Sequence, residues 1–425
     1  MKKITLLSAI TLLSFFSHAQ CDTSRRPVIF IHGFLASGDT WSPAIQRFIA
    51  NGYCADRLFV FDWNSVNGTN KRSDSQIVAF VKQVLAKTGA TQVDLVGHSA
   101  GGVMGRGFLV EPESAAMVAH YVNIGSRKWF ADYEWFPNLK CLNIYSAADM
   151  VMGKMGGNIE HARNVDLVNK DHYEVATCEA TTEEMIVFLS DYRRKPLSPS
   201  NAVIEPIQVS GKAVLLGSNE PMSGAAINIY AVNPRNGKRL KAVPDFAMNA
   251  GTDGRWGPVT AKPATHYEME LRPADTAQRT ISYFFEPFRV SDPAVYLRGF
   301  PSGNMVAMML GQIPKQVNQS ALVIYSSAHA IIQGRDSVAV NKIPVTSAVL
   351  TPASKTIIST FVFDDGDRIS SGKSMKQFGA APFLGGVDIS LSASRKGKHT
   401  IYFNGRIMNL PARSSKDCIL LAVFR

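Results

Sequence analysis

Cysteine is scarce and nowhere clustered: Cys21, Cys54, Cys141, Cys178 and Cys418 are the five in 425 residues, and no two stand in a C-x-x-C spacing. That argues against a thiolate zinc site or a vicinal redox pair. Long apolar runs are missing too. The run Ile4 to Phe16 falls short of the about 20 residues that a membrane-spanning helix needs, and no later stretch reads as a span. An acidic excess is also lacking, since 45 Lys and Arg face 34 Asp and Glu, a net charge of +11. A basic surface suits anionic surfaces, lipid interfaces included. The basic residues are dispersed with no nucleic-acid motif among them, so nucleic acid is not an expected partner. With 46% hydrophobic and 19% charged residues the chain is neither disordered nor fibrous.

What is present begins with an export signal. Lys2 and Lys3 precede the apolar run, and Ser17-His18-Ala19 supplies small residues for cleavage after Ala19. Residues 1–19 are therefore expected to be removed and the protein secreted, to the periplasm or outside. A lipoprotein signal acylated at Cys21 is the competing reading, but it calls for a small residue where Gln20 stands. In an oxidising compartment the cysteines can pair. Proximity alone suggests Cys21 with Cys54 and Cys141 with Cys178, leaving Cys418 over.

From residue 20 to 195, short β-branched or aromatic runs alternate with helical patterns. The runs are 27–31, 57–61, 92–96, 120–124 and 141–145, and Ser73 to Lys87 places Ile77, Phe80, Val81, Val84 and Leu85 at helical spacing. Such alternation predicts a mostly parallel sheet covered by helices, an α/β fold. Arg193-Arg194-Lys195-Pro196-Leu197-Ser198-Pro199-Ser200 reads as a linker. Beyond it the pattern turns all-β, with strands at 209–216, 225–232 and 267–271 and turn pairs Asn236-Gly237 and Asp253-Gly254. Looser spacing near Arg279 divides this part into sandwich-like domains at 196–279 and 280–425.

Gly97-His98-Ser99-Ala100-Gly101 fits G-x-S-x-G between a predicted strand and a predicted helix, the context in which a serine is forced onto a tight turn and exposed as a nucleophile. A serine needs a base and an acid to orient that base, and here these follow in the order acid, then histidine. His172 stands in a polar loop before a helix, and Asp149 follows the strand 141–145. His161 is the alternative base; Asp166, Asp171 and Glu174 are alternative acids. His98 and His120 read as structural. The backbone N–H groups of Phe34, in the turn His32-Gly33-Phe34-Leu35 after the first strand, and of Ala100 are the expected oxyanion donors. Trp129, Phe130 and Trp135, in the aromatic stretch 129–136, are candidate substrate contacts, as a lid or acyl wall, or else pack onto the sheet. Asp364-Asp365-Gly366-Asp367 lacks the spacing of an EF-hand loop and reads as a polar turn. No metal or other cofactor is expected, and nothing in the sequence speaks to oligomeric state.

Residues 27–34, 96–102, 144–149 and 171–175 together resemble the secreted bacterial and archaeal lipases of the α/β-hydrolase superfamily. The resemblance covers about the first 195 residues. It implies carboxylic ester hydrolysis, of triacylglycerols or other hydrophobic esters, with Ser99, Asp149 and His172 as triad and Phe34 and Ala100 as oxyanion donors. Acyltransferase, thioesterase and polyester depolymerase chemistry would use the same site. The stretches 209–214, 221–225 and 252–256 are similar to a transthyretin-like or carboxypeptidase-regulatory sandwich, and in archaeal lipases of this type a β region follows the hydrolase domain. A reading of another class is an inactive protein whose β domains bind a surface, against which the complete, ordered set of site residues speaks.

Overall fold

The computed structural model describes residues 21–67, 71–129, 139–190, 206–301 and 305–425. The expected signal segment and the linker 193–200 lie outside the described residues, as do Phe130 and Trp135 of the aromatic stretch.

The first region alternates strands with helices: β1 Val28–Ile31, α1 Ser42–Ala50, β2 Leu58–Phe61, α2 Lys71–Thr88, β3 Val93–His98, α3 Ala100–Leu109, α4 Pro112–Ala115, β4 Val118–Ile124, β5 Lys140–Tyr145, β6 Arg163–Asp166, α5 Glu174–Thr177 and α6 Glu179–Ser190. The strands pair in parallel in the order β2-β1-β3-β4-β5-β6. Both faces are covered. Ile45 and Phe48 of α1 and Met185 and Ile186 of α6 pack with Val28, Phe30 and Leu142 on one face; Ile77 and Val81 of α2 and Met104 and Phe108 of α3 pack with Ile29, Ile31 and Leu95 on the other. This is the α/β arrangement that the alternating pattern predicts. Two-sided burial is why the strands read as unbroken apolar runs. Strand β6 escaped the sequence reading because its residues are mostly exposed and polar.

The sheet also separates two of the cysteines expected to pair. Cys141 lies on the α2/α3 face, whereas Cys178 begins the turn into α6 on the opposite face, and neither is in a disulfide. Cys21 and Cys54 are bridged. A crosslink over a sequence separation of 33 restricts the unfolded chain by about 3–4 kcal/mol.

Beyond residue 205 the elements are β7 Ile207–Leu215, β8 Ala226–Val232, β9 Phe246–Asn249, β10 Arg255–Ala261, β11 His266–Arg272, β12 Ile281–Phe285, β13 Asp292–Gly299, α7 Met305–Leu310, β14 Leu322–Ser326, β15 Val338–Val340, β16 Ile343–Pro344, β17 Ser359–Phe363, β18 Leu384–Asp388, β19 Lys398–Phe403, β20 Arg406–Pro411 and β21 Ile419–Phe424. An eight-stranded sheet, β18-β17-β14-β21-β12-β11-β8-β9, lies between a three-stranded sheet, β10-β7-β13, and a four-stranded one, β16-β15-β19-β20. Val323, Leu421 and Val423 face the first of these layers, while Leu322, Ile324, Leu420 and Ala422 face the second. The division expected at 279 falls inside the antiparallel pair β11–β12, and β21 lies between β14 and β12. Strands from before and after residue 279 thus share one sheet, because the C-terminal strand returns to complete it.

The two regions meet along β13, where Ala294 and Tyr296 join the core that contains Trp41 and Phe48. Polar ties reinforce the seam: Lys212 Nζ lies 2.7 Å and Tyr296 Oη 2.8 Å from Asp62 Oδ2, and the guanidinium of Arg298 pairs with Asp39.

Candidate active site

Strand order reverses at β1 and β3, whose neighbouring carboxyl ends send their connections to opposite faces and so open a crevice. The chain leaves β3 through Ser99, which holds φ 54° and ψ −121°. A non-glycine residue keeps such a conformation only where its surroundings impose it. Here α3 packs so closely that a Cβ on Gly101 would lie 2.4 Å from the carbonyl oxygen of Ile31, and one on Gly97 would lie 2.5 Å from that of Gly101. Glycines at these two positions allow the turn.

Three side chains from separate loops converge. His172 Nε2 lies 2.9 Å from Ser99 Oγ, and His172 Nδ1 lies 2.7 Å from Asp149 Oδ2. All three residues are buried, His172 and Asp149 at 2% exposure each. The other oxygen of Asp149 accepts from the N–H groups of Val151 and Met152 at 2.9 and 3.0 Å. That leaves Oδ2 for the imidazole. The alternative acids are engaged elsewhere. Asp166 Oδ1 accepts from Ala147 N–H. Asp171 Oδ1 accepts from Tyr173 and Glu174 N–H, and its Oδ2 faces Arg335. Glu174 pairs with Lys170. His161 is exposed beside Glu160, and His120 contacts Asp94 at the start of β3, the end of the strand away from Ser99.

His98, read from the sequence as structural, supports the site through the backbone: its Nε2 lies 2.8 Å from the carbonyl oxygen of His172. Burial, with the neighbouring His172 adding to it, pushes the His98 imidazole down to about 3. It is therefore neutral, and Nε2–H is the donor.

Ala100 opens α3, so its N–H is one that a helix leaves without an intrahelical acceptor. The loop carrying Phe34 runs alongside Ser99, for a Cβ on Gly33 would lie 3.1 Å from the Cβ of Ser99. Trp129, by contrast, packs on the α2/α3 face near Tyr121, at 6.0 Å between ring centroids, with Arg106 over its ring at 5.8 Å. The second region contributes an aromatic ring to the site. Phe383, ahead of β18, stacks on His172 at 6.0 Å and 13°. Nothing local in the sequence marks it.

A cavity of about 950 Å³ opens between the regions. Leu35, Tyr173, Phe285, Phe361 and Phe383 are among its walls, so it adjoins the turn that carries Phe34 and the residue after His172. Among its polar lining are Asp39 with Arg298 and Tyr325, whose hydroxyl lies 3.2 Å from Asp39. The buried phenol of Tyr325 is pushed well above its ordinary range by desolvation and by Asp39, so it serves as a neutral donor.

Comparison with known proteins places the likeness in both regions. A family described as Lipase (class 2) matches residues 25–115, one described as Lipase C-terminal domain matches 205–300, and a further C-terminal domain family matches 310–410. Triacylglycerol lipases of Pseudarthrobacter phenanthrenivorans and Burkholderia plantarii are each 37% identical over 112 residues, covering 24% of this chain and 33% and 30% of theirs. The chain thus matches about a third of the length of those relatives. Among solved structures, a Bacillus licheniformis lipase aligns at 14% identity and a TM-score of 0.34, covering 40% of this chain and 94% of that one. The chain is similar to lipases and esterases of the α/β-hydrolase type.

Proposed function

We propose that this protein is a carboxylic ester hydrolase of the lipase or esterase kind, acting on hydrophobic acyl esters through Ser99, His172 and Asp149. The observation that carries the reading is the continuous relay from Ser99 Oγ to His172 to Asp149 at 2.9 and 2.7 Å. His172 Nε2 takes the hydroxyl proton as Oγ attacks the ester carbonyl, and Asp149 holds Nδ1–H toward itself and offsets the imidazolium charge. The N–H groups of Phe34 and Ala100 receive the oxyanion. Collapse expels the alcohol, which takes the proton from His172, and water repeats the sequence on the acyl-enzyme.

The aromatic cavity wall supports an apolar acyl group, and the similarity to triacylglycerol lipases supports a lipid ester as natural substrate. Export belongs to the same proposal: the signal pattern at 1–19 and the Cys21–Cys54 bridge both suit an oxidising compartment.

The test is hydrolysis of p-nitrophenyl esters over a range of acyl lengths. Wild type is expected to turn them over, and Ser99→Ala to lower kcat by on the order of 10⁵- to 10⁶-fold with its fold intact. Equal rates in the two proteins overturn the assignment.

A further inference from the structure

The turn that carries Phe34 is held in place from outside its own region. Leu35 has φ +58°, a backbone state that needs outside support. Its N–H donates to Ser65 Oγ at 2.9 Å, and Ser65 in turn donates its hydroxyl to the carbonyl of Gly217, in the turn after β7, at 3.0 Å. Two residues on, Asn219 enters the gap behind the Phe34 turn. It is 5% exposed and holds φ +55°, a left-handed state that asparagine tolerates better than most residues.

Every polar atom of its side chain is engaged with the first region. Nδ2 donates to the carbonyls of Ala36 and Trp63, at 2.9 Å each, and lies 3.2 Å from His32 Nε2. Oδ1 accepts from Ser37 Oγ at 2.6 Å. Trp63 N–H donates to His32 Nε2 at 3.3 Å, while both hydrogens of the Asn219 amide go to the two carbonyls. Nε2 is therefore the acceptor, and Nδ1–H donates to the carbonyl of Gly33 at 2.9 Å. Burial holds this imidazole below the ordinary histidine range, against Asp62 and Asp39, which favour its charged form, and with Arg298, which opposes it. Trp63 N–H and the Gly33 carbonyl thus fix the tautomer of His32, which grips Gly33, while the Asn219 amide lies against that ring and grips Ala36 and Ser37 directly. Phe34 lies between these anchors.

We propose that Asn219 is a positioning residue for the Phe34 oxyanion donor, so that the β-rich region sets part of the transition-state geometry. The inference rests on the ester-hydrolase reading above. Oxyanion donors act by being held where charge will develop, and looseness of well under 1 Å weakens them. The side chain is suited to the task because only a neutral amide offers one acceptor and two donors in a plane. An aspartate of the same shape donates nothing and would face His32 Nε2 with a charge.

The test uses the full chain and three variants. Asn219→Ala is expected to lower kcat about 10- to 100-fold with KM within about twofold, a part of the 10²- to 10³-fold that a whole donor is worth. Affinity for a phenylboronic acid, whose tetrahedral adduct uses the same donors, should fall by the same factor. Ser37→Ala removes one of the Asn219 anchors, along with an acceptor of Arg298 Nε, and should shift both readouts in the same direction by less; it carries the test if Asn219→Ala does not fold. Unchanged kcat and boronate affinity in a folded variant, or a change in KM alone, overturns the proposal. Asn219→Asp provides a readout free of activity: in ¹⁵N spectra the wild-type His32 ring should be the neutral Nδ1–H form and titrate below the ordinary range, and the variant should move that titration upward. An unmoved His32 overturns the clamp even if the enzyme is active. A wild type that cleaves no ester overturns the function while leaving the His32 result to judge the clamp.

Discussion

The two regions bury charge for different ends. In the first, Asp149 and His172 are as buried as core residues, yet each keeps an atom free to act in a relay. In the second, Glu268 on β11 is fully buried and wholly consumed: the guanidinium groups of Arg239 and Arg413 both hold its two oxygens. Burial pushes that carboxyl up, but the two arginines outweigh it and hold it at about 2. The contrast follows from position. Loops at the carboxyl ends of a parallel sheet hold groups around a crevice, whereas a charge in the middle of a central strand has no alternative to full pairing.

Removing one carboxylate from each region sharpens the comparison. Asp149→Asn is expected to lower kcat by about 10⁴-fold, because the imidazole loses its orienting acceptor, with little change in the urea midpoint. The opposite pattern would place Asp149 among the structural charges. Glu268→Gln should do the reverse and cost about 2–4 kcal/mol in urea unfolding, since two half-buried arginines lose their shared carboxylate and only Arg239 keeps another, Glu270, while kcat per folded molecule is retained. If its loss of stability were under about 1 kcal/mol, the pairing in β11 would not be what holds the second region.

Acid should act on both regions through depressed histidines. His98 in the first and His399 in the second are pushed down by burial to about 3 and about 4. Between those values and 6.5 the unfolded chain binds protons that the folded chain refuses, so stability declines as pH falls through this window. Glu268 adds a further loss from 4.5 down to about 2, where its native ion pairs are protonated away. Replacing His399 by Gln, which keeps a donor toward Ser320, should flatten the slope of unfolding free energy between pH 6.5 and 4. This is the smallest of the effects, and an unaltered slope would show that His399 does not carry the acid loss.

The parallel sheet was legible because strands buried on both faces are apolar without interruption and helices between them repeat at 3.6 residues. Ser99 was legible because the strained turn demands glycines at 97 and 101, a local requirement that leaves a local mark. Asp149 and His172 could be read from their places at the ends of strands and loops. The second bridge, Cys141 with Cys178, was misread because proximity along the chain says nothing of which sheet face each occupies. The boundary at 279 was misread because β21, far along the chain, completes a sheet begun by β8.

The sequence by itself therefore determined the parallel sheet, the strained turn at Ser99 and the order of the residues that converge on it, since each is specified by neighbours within a few residues or by a repeating pattern. Only the tertiary structure decided that Phe383 covers His172, that Arg298 answers Asp39 and that Asn219 braces the turn beside Ser99. Those contacts join residues some 180 to 260 positions apart. No local propensity encodes them; they arise when two independently patterned regions pack along β13 and their polar groups, cut off from water, find one another.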